Sequence, residues 1–329
     1  MANSEIPALH PNCGGTDAIL AAMAGVATAN GAALSDIDRR MLAGADKYIF
    51  GRSGRLNAEA LPDSAPEALA AALSGTDLAQ DALKMLAVMS LVDAQLDKDR
   101  IQRVFDYGDT LDVHDPYLKL LRMAIKGDEQ AALGEMINAN MISITGEPWT
   151  SGDITDWLTP YGKGHENQEM ADRFEALSDL PKESFGHHFW AHFKDNTYEF
   201  PGETSALNAA FSRPHDSAHV LTNFDTTPRG ELLVSTFTST MHPYMPVAGH
   251  VLPVIFSWHL NIEINKVAKE AEGALDPDVF WCAWAGGAAT TVDTFDPEWK
   301  FWDHVETPLI ELRRRWGIPD GGLDFKNPA

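Results

Sequence analysis

The apolar residues in the first half of the chain repeat with the period of an α-helix, and this pattern limits the folds that the chain can adopt. Over residues 66–140 the 3.6-residue period continues without any strand-like alternation. A shorter helix is predicted over residues 17–28 and another over residues 35–45, where Ser35 is the expected N-cap. The second half continues in the same way, so we predict an all-α protein.

Two of the predicted helices are joined by an acidic turn. Its sequence is Asp93-Ala94-Gln95-Leu96-Asp97-Lys98-Asp99. The helix before the turn is apolar, and the helix after it carries Ile101, Val104 and Phe105. Over roughly residues 70–142 this arrangement resembles the tellurite-resistance TerB-like helical domain. The turn lacks the glycine and the distal glutamate of a Ca²⁺-binding loop, so helix capping and solvation account for its aspartates.

Turn-forming residues are concentrated between residues 142 and 163, where Gly, Pro and Asp recur. A chain of 329 residues is long for a single hydrophobic core. We therefore predict two helical domains, residues 1–145 and residues 165–329, with the TerB-like region inside the first.

The second predicted domain contains two long apolar helices and one long final helix. The first apolar helix is expected to end near His242, and the second covers residues 249–271. The final helix is predicted over residues 296–318, with Gly317 as the residue that ends it.

The charge of the chain excludes one class of partner. Asp and Glu outnumber Lys and Arg by 48 to 25, which gives a formal net charge of −23. Nucleic acids attract proteins through basic patches, and no basic run offsets this charge, so nucleic-acid binding is not expected. Cys13 and Cys282 are far apart and flank no metal-ligand spacing, which suits a reducing cytoplasm.

The stretch at residues 232–262 contains no Asp, Glu, Lys or Arg. Prolines and histidines interrupt it, whereas a membrane span needs about 20 predominantly apolar residues, so we predict buried helices around an apolar cavity instead. The N-terminus has no positively charged region before an apolar segment, and we expect a cytoplasmic protein. A peripheral membrane contact and a homodimer are both compatible with the sequence.

The strongest chemical signal is the motif H-D-x-x-H at His215, Asp216 and His219, followed after eleven residues by Glu231. On a helix the two histidines occupy positions i and i+4, so their imidazoles project from one face. The breaker run at residues 225–230 favours a turn between antiparallel helices, which returns Glu231 to the same place. Two imidazoles with carboxylates and no thiolate suit Zn²⁺, Fe²⁺ or Mn²⁺. A buried histidine paired with an aspartate is also common without a metal, and the spacing alone does not separate the two.

Other landmarks occur in order on both sides of this motif. They are L-P-x-x-S-x-G from Leu180, the H-D-x-x-H motif, the glutamate, an apolar helix pair and E-L-R-x-x-x-G-I from Glu311. Over roughly residues 171–319 this order resembles the coenzyme Q biosynthesis protein 4 family. The resemblance implies an all-helical fold, a divalent metal and isoprenoid-tailed ligands. It also implies a part in ubiquinone assembly, either as a scaffold or in oxidative removal of a ring carboxylate.

By this resemblance, the metal ligands and catalytic residues are His215, Asp216, His219 and Glu231. The TerB-like half and residues 242–246 depart from the family's pattern. These departures allow a related apolar substrate in place of a ubiquinone precursor.

Further side chains are candidates for the wall of the same pocket. His188 and His192 form a second i, i+4 pair, for which packing or hydrogen bonding to the ligands is preferred over ligation. His242, Tyr244, His250 and His259 lie in or beside the apolar helices. A neutral buried histidine is the default there, but one of the three could act as an acid or base towards a bound substrate. No Ser-His-Asp order, phosphate loop or dinucleotide motif is visible.

Together these features predict a metal-dependent enzyme, a lyase or an oxidoreductase, that acts on an apolar aromatic or isoprenoid substrate. Decarboxylation and hydroxylation of a quinone precursor or terpenoid-like compound are the favoured reactions, with the metal polarising a substrate oxygen or activating water or dioxygen. The alternative is a non-catalytic isoprenoid-lipid-binding scaffold of a quinone-biosynthesis complex, in which the metal is structural.

Overall fold

The computed structural model describes residues 6–11, 13–52, 56–62, 64–148, 166–262 and 271–326. Within these ranges every regular element is a helix, and the only β-type pairs are isolated bridges. The all-α prediction is confirmed. None of the described helices is both long and apolar enough to cross a membrane.

The first half of the chain contains seven α-helices among its described residues. They are α1 (Thr16–Ala27), α2 (Asp36–Gly44), α3 (Pro66–Leu73), α4 (Ala79–Met89), α5 (Lys98–Leu111), α6 (Pro116–Ile125) and α7 (Glu129–Thr145). The predicted cap of α2 is confirmed, since the Ser35 hydroxyl accepts from the Asp38 amide and Asp38 accepts from the Ser35 amide in return.

Among its described residues, the second half contributes seven more α-helices and a π-helical segment. They are α8 (Gln168–Glu175), α9 (Phe185–Asp195), α10 (Ala209–Thr222), α11 (Pro228–Met241), the π-helical segment Pro246–Val251, α12 (Leu252–Trp258), α13 (Phe280–Ala289) and α14 (Leu309–Arg315).

The prediction of one final helix over residues 296–318 is wrong. Only a single 3₁₀ turn, Phe301–Asp303, and the short helix α14 form there. The intervening backbone pairs with the start of α9 instead: the Phe185 amide donates to Thr307, and the Leu309 amide donates to Glu183. Pro308 stops a helix from continuing through this point. The predicted end is confirmed, because Gly317 adopts the left-handed conformation with φ of 77°.

The predicted helix over residues 249–271 is also much shorter than expected. Helix α12 ends at Trp258, and Asn261 has a φ of 59°. The chain then folds back on itself, since the Ala271 amide donates to the Ser257 carbonyl and the Asn261 amide donates to the Ala271 carbonyl. Residues 263–270 lie outside the described part of the chain.

The two predicted domains share one hydrophobic cluster. Leu20 and Met89 from the first half belong to the same buried cluster as Val251, Phe256 and Trp281 from the second half. A second cluster, formed within the second half, surrounds α9, α11 and α14. Most of the predicted boundary, residues 149–163, lies outside the described residues, so the division into two domains stays a prediction.

The π-helical segment is packed directly against α7, and this contact positions one wall of the site described below. A Cβ atom on Gly249 would lie 2.9 Å from the Ala139 carbonyl oxygen, so the two backbones approach closely only because a glycine is present. The Asn140 side-chain amide donates to the Gly249 carbonyl at 2.7 Å. This bond satisfies a backbone acceptor that the irregular helix leaves open.

Candidate metal centre

Helices α10 and α11 form the predicted hairpin, and local capping determines where each helix stops and starts. Helix α10 ends at Thr222, and the next residue, Asn223, has a φ of 62° and donates its amide to the His219 carbonyl. Helix α11 begins after Thr227, whose hydroxyl accepts from the Gly230 amide. A Cβ on Gly230 would lie 2.0 Å from the Asp225 carbonyl oxygen, so this turn requires a glycine immediately before Glu231.

The hairpin brings three predicted ligand atoms into a triangle. The Nε2 atoms of His215 and His219 are 3.2 Å apart, and Glu231 Oε2 lies 3.3 Å from the first and 3.5 Å from the second. Ligand atoms about 2.1 Å from one ion lie about 3.0 Å apart at a right angle and about 3.4 Å apart at the tetrahedral angle. The triangle therefore has the dimensions of three ligands of one divalent ion.

The tautomer of His219 is fixed by the backbone. Its Nδ1 lies 3.0 Å from the Phe224 carbonyl oxygen, which can only accept, so Nδ1 carries a proton and Nε2 is the nitrogen that can ligate a metal. The side chain is 1% exposed, and its ring stacks on His192 with centroids 5.3 Å apart. Orientation of this kind is typical of a metal-ligating histidine.

Asp216 lies at the edge of the triangle. One of its carboxylate oxygens is within 4.8 Å of ring nitrogens of both His215 and His219. Its Oδ1 is also 3.1 Å from Nε2 of His192. The geometry thus leaves Asp216 two roles, either as a fourth ligand or as a carboxylate that orients the ligands.

Asp216 and Glu231 place negative charge next to the buried His219, and this changes the pKa values of the site. Burial alone would lower the pKa of His219, but Glu231 and then Asp216 raise it to about 9. Burial alone would raise the pKa of Glu231, but His219 and His215 lower it well below its usual value. In the absence of a cation, a proton on His219 therefore balances Glu231, and metal binding would displace that proton.

A cavity of about 970 Å³ opens beside the triangle. Lining residues include Phe211, His215, Asp216 and Glu231 on the side of the hairpin. The rest of the wall is mainly apolar and aromatic. It includes Met136, Ile137, Phe193, Tyr198, Leu207, Val254, Trp258 and Phe295. Among the described residues, no lysine or arginine lines the cavity. Asp216 and Glu231 therefore have only histidines as basic partners, and a divalent cation would balance their charge. On donor type, spacing and charge, the residues fit a divalent metal.

The other predicted pocket residues differ in whether they contact the site. His192 contacts the site through Asp216, whereas His188 is exposed and does not line the cavity. Tyr244 is 65% exposed and also lies outside the cavity wall. His259 is buried in the fold, with Nε2 bonded to the Val92 carbonyl at 3.0 Å and Nδ1 accepting from the Leu275 amide.

His242 also lies outside the cavity wall, in a polar cluster next to it. Its Nδ1 is 2.7 Å from Asp293 Oδ2, and its Nε2 is 2.8 Å from the Ser143 carbonyl oxygen. Both partners can only accept, so both ring nitrogens donate and the imidazole is a cation. Burial opposes that charge, but the Asp293 carboxylate raises the pKa of His242 overall.

His250 is one of the three histidines on the apolar helices for which the sequence favours an ordinary buried role, and it is a cavity residue. It lies in the π-helical segment, is 5% exposed and lines the cavity. In the sequence, His250 follows a glycine in a stretch without charged residues, and this pattern also suits an ordinary buried histidine. Its partner, Ser143, is 107 residues away in the sequence, so spacing could not reveal the contact.

No protein-family model matches the chain, and no curated protein matches it. Among solved structures it is similar to a candidate ubiquinone biosynthesis protein from Nostoc punctiforme PCC 73102. The identity is 17%, the match covers 73% of this chain and 95% of that chain, and the TM-score is 0.29. A likeness this distant carries no argument about fold or function. The TerB-like resemblance of the first half stays a prediction.

Proposed function

We propose that the protein is a divalent-metal-dependent enzyme that acts on an apolar aromatic or isoprenoid-like molecule bound in the cavity. The observation that supports this proposal most strongly is the triangle of His215, His219 and Glu231 at the wall of a largely apolar cavity. A cavity of about 970 Å³ has the size of sites that enclose a drug-sized ligand.

In this proposal, one set of side chains binds the metal and another set orients the substrate. His215, His219 and Glu231 would hold Zn²⁺ or Fe²⁺, with Mn²⁺ as a further candidate. A bound ion of this kind supplies Lewis acidity towards a substrate oxygen. Phe211 and Trp258 belong to the apolar wall, which would exclude water and hold the substrate skeleton. The order of motifs that resembles the coenzyme Q biosynthesis protein 4 family favours a quinone precursor, with decarboxylation or hydroxylation as the reaction.

The metal part of the proposal is tested by metal analysis of the purified chain. We expect about one equivalent of a divalent transition metal in the wild type and a large loss in His219→Ala. The matched control is His188→Ala, because His188 is exposed and lies outside the cavity. Equal metal content in all three proteins would rule out the ligand assignment.

The catalytic part is tested on the apolar molecule that copurifies with the protein. It would be extracted, identified by mass spectrometry and returned to protein reconstituted with iron or with zinc. We expect a product that forms only with metal and not with His219→Ala. Binding without any metal-dependent product would instead favour the non-catalytic scaffold with a structural metal.

A further inference from the structure

One face of α11 carries a row of polar side chains along the cavity. Glu231, Ser235 and Thr238 are spaced as i, i+4 and i+7, and all three line the cavity. Since an α-helix rises about 1.5 Å per residue, Thr238 lies about 10 Å along the helix axis from the candidate metal ligand Glu231.

The Thr238 hydroxyl differs from the neighbouring buried hydroxyls of the same helix, those of Thr236 and Ser239. Thr236 donates to the Leu232 carbonyl at 2.8 Å, and Ser239 donates to the Thr236 carbonyl at 2.7 Å. Thr238 is only 3% exposed, yet among the described residues its Oγ1 has no hydrogen-bond partner. A buried hydroxyl without a partner carries a desolvation cost, which a ligand group in the cavity would remove.

His250 provides an acceptor to the same cavity. The Ser143 hydroxyl lies 2.8 Å from the Tyr244 carbonyl oxygen and 2.7 Å from His250 Nε2. A carbonyl can only accept, so Ser143 gives its single proton to Tyr244, and His250 Nε2 must donate to the Ser143 oxygen. Nδ1 then carries the lone pair, and no described residue hydrogen-bonds to it. Burial lowers the pKa of His250 to about 3, which keeps the ring neutral.

Thr238 and His250 both line the cavity, and the elements that carry them pack against each other. The two are linked by His242, whose amide donates to the Thr238 carbonyl and whose ring centroid is 6.4 Å from that of His250. The cavity wall thus carries polar groups at Thr238 and His250 in addition to the candidate metal ligand Glu231. Apolar side chains such as Trp258 and Val254 also line it.

We propose that Thr238 and His250 form a second binding point that recognises a hydroxyl group on the otherwise apolar ligand. His250 Nδ1 can only accept, whereas the Thr238 hydroxyl can donate or accept. A ligand hydroxyl satisfies both at once, by donating to His250 and accepting from Thr238. An ether or a carbonyl oxygen has no proton to give to His250. The site therefore selects a phenol or an alcohol over the corresponding ether.

The test compares two probes that differ only in this proton, nonylphenol and its methyl ether. Their affinities for the full chain would be measured by isothermal titration calorimetry, with the protein as purified and again after treatment with a chelator. The chelated sample removes any contribution from a phenol oxygen on a metal. We expect the wild type to prefer the phenol by about tenfold in both samples, as for one hydrogen bond.

Thr238→Val removes the hydroxyl with little change in shape, and we expect it to bring the phenol-to-ether ratio close to one. Its melting temperature should stay the same or rise, because a buried hydroxyl without a partner is removed. Thr236→Val is the matched control on the same helix and should keep the wild-type ratio. His250→Phe should also abolish the preference, with its melting temperature measured as a check on folding.

A wild-type ratio close to one would overturn the inference, and so would an unchanged ratio in Thr238→Val. Failure of the wild type to bind either probe would also overturn it. The inference rests on the proposed function only through the use of the same cavity. Because the preference is measured with and without metal, its failure can be distinguished from a failure of the metal assignment in the metal analysis.

Discussion

His219 is the residue on which the geometry of the candidate metal centre depends most. The Phe224 carbonyl fixes its Nδ1, and its Nε2 lies within 3.5 Å of ligand atoms on both His215 and Glu231. The oxygen that fixes the ring comes from the hairpin turn itself. The same short turn therefore returns Glu231 to the site and orients the histidine that it meets.

Asp216 provides a test of how the surroundings of the ligands contribute to metal affinity. We expect Asp216→Asn to weaken metal binding by about 10- to 100-fold, because the carboxylate holds His192 and adds negative charge beside the ion. The measurement is a competition titration against a chelator of known affinity. Asp195→Asn, at an exposed position in α9, is the control and should bind as the wild type does. Equal affinities for the two variants would show that Asp216 has neither role.

His250 predicts a pH dependence of stability. Its pKa is lowered from 6.5 to about 3 by burial, so below about pH 6.5 the unfolded chain takes up a proton that the folded chain does not. Stability is complete above that pH and falls as the pH decreases towards 3. His242 acts in the opposite direction because its pKa is raised.

The contribution of His250 is isolated by comparison with His250→Gln, which has no titratable group. We expect the wild type to lose about 1–2 kcal/mol more than this variant between about pH 7.5 and about pH 5. Urea unfolding at the two pH values measures the difference. His114→Gln, at an exposed position, should lose as much as the wild type. The same loss in all three proteins would contradict a neutral, buried His250.

The contact between His215, His219 and Glu231 could be predicted from sequence because their relations are local. The i, i+4 spacing of His215 and His219 and the breaker run before Glu231 suffice to bring the three together. Thr238 and His250 could not be selected in the same way. Their role depends on Ser143 and on the cavity wall contributed by α7, which are distant in the sequence.

At the scale of helices, the close contact between α11 and α13 stabilises the wall that carries Glu231. Gly287 makes this contact possible, since a Cβ atom there would lie 2.1 Å from the Phe237 carbonyl oxygen. We expect Gly287→Ala to lower the free energy of unfolding by about 1–3 kcal/mol or more, because backbone must move to accept the methyl group.

Gly134→Ala is the control for that substitution. Gly134 is exposed in the middle of α7, and a Cβ there meets nothing within 4 Å. Alanine should raise stability by up to about 1 kcal/mol, as expected from helix propensity. Both free energies come from urea unfolding. A Gly287→Ala protein as stable as the wild type would contradict the close packing of α11 on α13.

The helices were predictable from sequence where their own side chains determine them. The N-cap at Ser35 and the periodic apolar residues over 66–140 act locally, and both predictions are confirmed. The prediction over residues 249–271 is wrong because the chain folds back at Asn261 and Ala271 pairs with Ser257 and Asn261. The prediction over residues 296–318 is wrong because distant backbone groups compete for the same hydrogen bonds. Glu183 takes up the Leu309 amide, for example, and no local pattern records that contact.

At the scale of the whole molecule, the shared hydrophobic cluster predicts one cooperative unfolding transition. Leu20 and Trp281 belong to the same cluster, and Arg40 of α2 forms an ion pair with Asp278 at 2.8 Å. Neither half can unfold without exposing apolar surface of the other. We expect a single peak in scanning calorimetry of the full chain. Two resolved transitions would instead support two independent domains, as the turn-rich stretch at residues 142–163 suggested.

The most direct test of the central claim is anomalous X-ray scattering from crystals of the full chain, recorded at the absorption edge of the bound metal. We predict one strong anomalous peak about 2.1 Å from Nε2 of His215, Nε2 of His219 and a carboxylate oxygen of Glu231. A peak held by other residues would contradict the account. So would the absence of a peak from crystals grown with iron or zinc, with Glu231 bonded directly to a protonated His219.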